Sequence, residues 1–126
     1  MSILPSKCHR YLLERGIAFD EIQNASQRAL IFRGFKLPEG KFTAAAADIL
    51  VLLPPGYPDN PPDMFYTLPW LTLSGPNRYP KAADQPMAFA GQTWQRWSRH
   101  NNHWRRGQDG IWTMLKRIET ALTQAA

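Results

Sequence analysis

The 126-residue chain holds one cysteine, Cys8. No intrachain disulfide is possible, and a cysteine-based zinc site is excluded. No apolar run approaches the roughly 20 residues needed to span a membrane. The N-terminal stretch "MSILPSKCHRYLLERG" meets proline and charge before any signal-like apolar core of adequate length. A cytoplasmic protein with no membrane contact is expected. Low hydrophobicity combined with high net charge, the mark of disorder, is also missing: 44% of residues are apolar and 20% are charged. Neither repeats nor linkers interrupt the chain, so residues 1–126 read as one domain with a single modest core.

Acid is scarce at one end. Residues 94–126 carry six basic and two acidic side chains, and so hold most of the net charge of +5. A basic end points to nucleic acid or to an acidic protein surface as partner. Within it, residues 94–106, "WQRWSRHNNHWRR", hold three tryptophans, four arginines, two histidines and no acid.

The elements follow from periodicity and punctuation. Ser6 is a candidate N-cap and Gly16 sits where a helix C-cap belongs, so residues 6–15 predict a short helix. Cys8 lies on its apolar stripe with Leu4, Tyr11 and Leu12, which makes it a packing residue. Residues 17–22 alternate as a half-buried strand does. Residues 29–35 predict a second strand, with Gly34 at a bulge. The continuous apolar run 48–53 predicts a central strand. Residues 54–62, "PPGYPDNPP", carry five prolines in nine positions. They exclude helix and central strand alike and predict a rigid loop. Residues 63–67 return as a fourth strand, and 68–92 read as irregular. Ile111, Leu115, Ile118 and Leu122 mark one face of a last helix. The expected fold class is α+β: an N-terminal helix, a four-stranded antiparallel meander, a long irregular segment and a C-terminal core helix.

Tyr57-Pro58-Asp59-Asn60-Pro61-Pro62, placed between an apolar third strand and a fourth, resembles the Tyr-Pro-x-x-Pro-Pro loop of the ubiquitin-conjugating enzyme (UBC) superfamily. "LPPGYPDNPPDMFY" followed by "WQRWSRHNNHWRRGQDGI" is similar to one bacterial branch, prokaryotic family E. The resemblance covers nearly the whole chain. It implies a UBC-like fold and a place in a bacterial ubiquitin-like modification pathway, with a ubiquitin-like protein and an activating enzyme as partners. In that superfamily the proline loop helps position the active-site flap, and the first helix contacts the activating enzyme. The prolines are read first as a scaffold, since preset φ angles lower the entropy lost on folding. Tyr57 is expected to pack beneath the irregular segment.

The sequence departs from that plan where the chemistry lies. The family's usual cysteine accepts the ubiquitin-like protein as a thioester, because thiolate is both a good nucleophile and a good leaving group. A preceding His-Pro-Asn motif stabilises the oxyanion. Residues 68–106 contain neither cysteine nor His-Pro-Asn. Alignment on Trp104 puts the missing cysteine near Arg96–Trp97. The resemblance thus implies a catalytically degenerate carrier.

Four readings compete for residues 94–106. Trp94, Trp97 and Trp104 are wedges between sheet and last helix. His100 and His103 lie three apart with no Cys, Asp or Glu beside them, an incomplete ligand set, so neither metal nor other cofactor is expected. Ser98 is a candidate nucleophile for an oxyester, with His100 as its base. Arg96, Arg99, His103, Arg105 and Arg106 are a candidate partner-binding surface, with Arg99 and Arg105 the arginines expected to be most exposed. Such a surface suits a carboxylate-bearing protein. Arginines interleaved with aromatics also suit single-stranded DNA or RNA, though the resemblance favours protein over nucleic acid.

Overall fold

The structure, a computed structural model, describes residues 3–24, 27–100 and 103–126. Helix α1 (Ser6–Glu14) is followed by strands β1 (Phe19–Gln23), β2 (Arg28–Lys36), β3 (Ala46–Leu53) and β4 (Phe65–Leu68). Strands β5 (Gln85–Phe89) and β6 (Gln92–Trp97) then precede helix α2 (Ile111–Gln124). No helix among the described residues is long and apolar enough to cross a membrane.

Helix α1 ends as its sequence predicts. Gly16 takes φ +67°, the left-handed conformation that glycine reaches without a Cβ penalty. The Gly16 N–H donates to the Leu13 carbonyl and the Ile17 N–H to that of Leu12, which together make a Schellman cap. The start differs from expectation: Pro5, not Ser6, is the capping residue, and no side chain bonds the open N–H groups.

The meander is present, but the sheet has six antiparallel strands in the order β1-β2-β3-β4-β6-β5, not four. The last two strands form a hairpin: β5 lies inside the region 68–92 expected to be irregular, and β6 runs on from its end. Pro86 and a run of polar side chains hide them in the sequence. Proline is tolerated because β5 is an edge strand that needs no donor on its outer side. The connection is the two-residue Ala90-Gly91 turn, with φ +51° and +76°, as a tight hairpin requires. Residues 69–84 remain a long connection. In β2, the register shifts between Phe32 and Phe35, around Gly34 at φ +58°, which is the expected bulge.

Both helices cover one face of the sheet. Cys8 and Leu12 of α1 meet Leu30, Phe32, Ile49, Val51, Phe65 and Trp97 of the strands and Ile111, Leu115, Ile118 and Leu122 of α2. Ala29, Ile31, Leu50, Tyr66, Phe89 and Trp94 form a second apolar cluster. Trp94 and Trp97 stand three apart in β6, so strand alternation sends them to opposite faces. Both are fully buried. Trp97 stacks on Phe65 at 5.3 Å and 19°, and its Nε1–H donates to Thr67 Oγ1 at 3.0 Å. Beside it Gln95 is also fully buried. It accepts from Thr67 Oγ1–H and the Leu71 N–H, and donates to the carbonyls of Leu71 and Ala83. One side chain thus staples both ends of the long connection to the sheet.

Candidate functional site

Where β6 ends, the chain leaves the sheet toward α2 and opens a cleft of about 610 Å³. One wall is Ser98, Arg99 and His100; the other is the α2 flank carrying Met114, Arg117 and Ala121, and Phe65 contributes at the strand end. Ser98 is half-buried, and its N–H donates to the Ala82 carbonyl at 3.0 Å. Among the described residues no hydrogen bond joins Ser98 to His100.

His100 is held by a partner that sequence reasoning missed. Its Nδ1 lies 3.1 and 3.2 Å from the two carboxylate oxygens of Asp63, the residue that closes the proline loop. Both side chains are more than half exposed (60% and 57%), so the pair is an orienting contact, of small worth to stability. A carboxylate on one ring nitrogen fixes the orientation of the ring and leaves the other nitrogen directed elsewhere.

Arg99 and Arg117 are half-buried in the same cleft. The Arg99 guanidinium sits over the Trp97 ring at 5.3 Å, a cation–π contact. It donates to the carbonyls of Ser98 and Lys81. Arg117 donates to the Arg99 carbonyl at 3.1 Å and to Met114 Sδ at 3.5 Å. Burial pushes both guanidinium pKa values down, and for Arg117 the more distant Asp63 carboxylate pulls the other way. No acidic residue lines the cleft among the described residues.

The other predicted residues are distributed around this cleft and do not form one surface. Arg96 is the cross-strand neighbour of Tyr66 and shares the face of Trp94, where its Nε is buried without a hydrogen-bond partner. Arg99 is packed on Trp97 and is not among the open arginines. Arg105 is exposed, yet its guanidinium lies 3.3 Å from Asp109. Arg106 and His103 are exposed. No group of three metal-ligating residues occurs among the described residues. With Trp94 and Trp97 both inside, the tryptophans of β6 offer no stacking platform to a nucleic-acid base. The position aligned with the missing cysteine, Arg96–Trp97, lies inside a strand; the accessible chain begins one residue later, at Ser98.

Trp104 and Tyr57 belong to the frame. The Trp104 Nε1–H donates to the Pro58 carbonyl at 2.8 Å, and its ring meets that of Tyr57 at 6.5 Å. The Tyr57 hydroxyl lies 3.3 Å from Cys8 Sγ, and burial drives its phenol pKa upward. Tyr57 therefore packs toward α1 and the turn before α2, not beneath the irregular segment as expected. Pro62 is buried, with Pro54, Pro58 and Pro61 half-buried around it. Asp109 anchors the start of α2. It accepts the Arg105 backbone N–H at 2.7 Å and the Thr113 hydroxyl at 3.0 Å.

The fold is α+β, its two helices back one antiparallel sheet, and the cleft at the sheet's end is lined by no thiol. The model of prokaryotic E2 family E matches residues 4–125. The chain belongs to that family, and with it to the ubiquitin-conjugating-like proteins. No curated protein and no solved structure matches the chain.

Proposed function

We propose that this protein acts as a carrier in a prokaryotic ubiquitin-like modification pathway and works without a thioester. It docks a ubiquitin-like protein and the enzyme that activates it, and presents one to the other. The observation that carries the reading is the position of the thiol. Cys8 is 1% exposed on the inner face of α1, against the Tyr57 hydroxyl. A thiol buried in apolar surroundings is a poor nucleophile. The cleft at the end of β6 offers a serine, a histidine, two arginines and a lysine in its place.

The Asp63–His100 contact favours a second reading, transfer through an oxyester. The Ser98 hydroxyl oxygen would attack the carbonyl of the activated C-terminus, forming the ester as the thioester bond to the activating enzyme breaks. His100 would take the serine proton and return it to the departing thiolate.

Reconstitution with a ubiquitin-like protein and its activating enzyme tests both readings. The carrier reading expects a complex by calorimetric titration and no covalent adduct sensitive to thiol reductant. An adduct that survives reductant, yields to hydroxylamine and disappears in Ser98→Ala would establish the oxyester. Failure to bind either partner would remove both readings. Steeply salt-dependent binding to single-stranded DNA or RNA would replace them with a nucleic-acid function.

A further inference from the structure

From the cleft between β6 and α2 we infer a binding site for the free C-terminal carboxylate of a peptide chain, held non-covalently between Arg99 and Arg117. The inference rests on the carrier reading above for the identity of the peptide, the tail of a ubiquitin-like protein. Its chemistry rests on the arginines alone.

Three other arginines are held by carboxylates. Arg33 lies 2.7 Å from Asp20 and 2.9 Å from Asp48, and Arg15 and Arg105 each face a carboxylate. All three are at the surface, where water would solvate them in any case. Arg99 and Arg117 are half-buried, have given up part of that solvation, and form no ion pair. No carboxylate acts on Arg99, and Arg117 feels only that of Asp63; burial of charges so poorly offset is unfavourable. A bound anion is the missing counter-charge.

The donors that remain match a carboxylate. A guanidinium carries five N–H groups in a fixed fork. Arg99 spends two on the Ser98 and Lys81 carbonyls, and Arg117 spends two on the Arg99 carbonyl and Met114 Sδ. The rest are unspent, and a planar carboxylate is what such forks bind in pairs. Those same hydrogen bonds hold both guanidiniums still, so little rotamer entropy is lost on binding. The Asp63 carboxylate is itself taken up by His100. The remaining lining suits a peptide more than a small ion. Phe65, Met114 and Ala121 give an apolar floor, Thr113, Thr120 and Gln124 give hydrogen-bonding groups along α2, and the exposed Lys116 adds a further positive charge. The volume of the cleft lies in the range of ligand pockets that enclose several residues' worth of atoms.

A carrier that binds a carboxylate in this way keeps the tail in its unactivated form. No bond to the tail is made or broken, in keeping with a cleft that lacks a thiol.

The test uses nuclear magnetic resonance on the whole protein, reading the arginine side-chain Nε–H signals. The probe is a synthetic octapeptide of alanine and glycine, as the free acid and as the C-terminal amide, titrated to millimolar concentration. The acid is expected to shift the Arg99 and Arg117 signals and to bind at least about tenfold more tightly than the amide, the share expected of a charge-assisted pair. Arg117→Gln keeps an amide donor for the Arg99 carbonyl and removes the charge. In that variant the acid's advantage over the amide should shrink several-fold, with the melting temperature held, and an undiminished advantage overturns the inference. Equal binding of acid and amide overturns the inference, as does an absence of shifts at those two arginines. It is also overturned if inorganic phosphate matches the acid peptide, since the site would then be a general anion site. The carrier reading fails separately. A ubiquitin-like protein that binds equally with its terminal carboxylate free or amidated keeps the carrier and removes this site. Acid-specific peptide binding without binding of that protein does the reverse.

Discussion

Gln95→Leu isolates the polar staple under the long connection. The two side chains are similar in size, so the change removes hydrogen bonds with little change of volume. All four positions of the carboxamide are in use, at 2.8 and 2.6 Å as acceptor and 3.0 and 2.8 Å as donor. Leucine would leave the Leu71 N–H, the Leu71 carbonyl and the Ala83 carbonyl without partners, at about 1–3 kcal/mol for each buried group. Burying the leucine side chain returns about 1.5–3 kcal/mol. The net loss spans about 0–7 kcal/mol and centres on about 4 kcal/mol. A domain of this length has a total stability on the order of 6–19 kcal/mol, so the variant should still fold. Urea denaturation should show the midpoint falling with an unchanged slope, and the melting temperature should drop by about 10–20 °C. Hydrogen exchange locates the damage: the Leu71 and Ala83 amides should lose protection before those of β2 and β3 do. A Gln95→Leu protein within about 1 kcal/mol of the parent, with the connection still protected, would refute this account, since a single orphaned backbone group costs that much.

Three further outcomes follow from packing and charge. Tyr57→Ala should cost about 2–4 kcal/mol by denaturant titration, whereas Tyr57→Phe, which loses only the hydroxyl facing Cys8, should cost about 1 kcal/mol or less. Cys8→Ala should cost on the order of 1 kcal/mol and leave partner binding by calorimetry within a few-fold; loss of transfer in a well-folded Cys8→Ala protein would make that thiol the nucleophile. The Arg105 backbone N–H, more than the other hydrogen bonds, holds the Asp109 carboxyl below its ordinary 3.8. A carboxyl depressed by folding adds stability above its unfolded pKa and loses it as pH falls through the folded value. Melting curves taken downward from about pH 4 should therefore fall more steeply for the parent than for Asp109→Asn.

What could be read from the sequence was what repeats at short range. The run Ile49-Leu50-Val51-Leu52-Leu53 and the stripe Ile111-Leu115-Ile118-Leu122 carry their own period, and Gly16 carries its own φ. The β5–β6 hairpin does not. Pro86 argues against a strand until the sheet order shows that β5 is an edge, and Gln95 looks solvent-facing until the Leu71 and Ala83 backbones reach it. The candidate site was half legible. Ser98 and His100 stand out in a stretch without acid. Asp63 is 37 residues away from His100 in the chain and meets it only because the proline loop and the end of β6 open onto the same end of the sheet. Arg117 follows the apolar stripe of α2 at its margin, where an arginine reads as an ordinary surface residue. Its carbonyl partner on Arg99 is set by tertiary structure alone.

The seclusion of Cys8 also makes the molecule convenient to probe. Cys8 is 1% exposed and its sulfur lies against the Tyr57 hydroxyl, so maleimides and disulfide-exchange reagents should pass it by while the fold is intact. A thiol placed at the cleft by Ser98→Cys would then be the sole group to take a fluorophore, spin label or crosslinker. Distances from the cleft to a docked partner can be measured without first stripping the parent of its native cysteine. Slow labelling of the unaltered protein becomes a clock for the opening of α1.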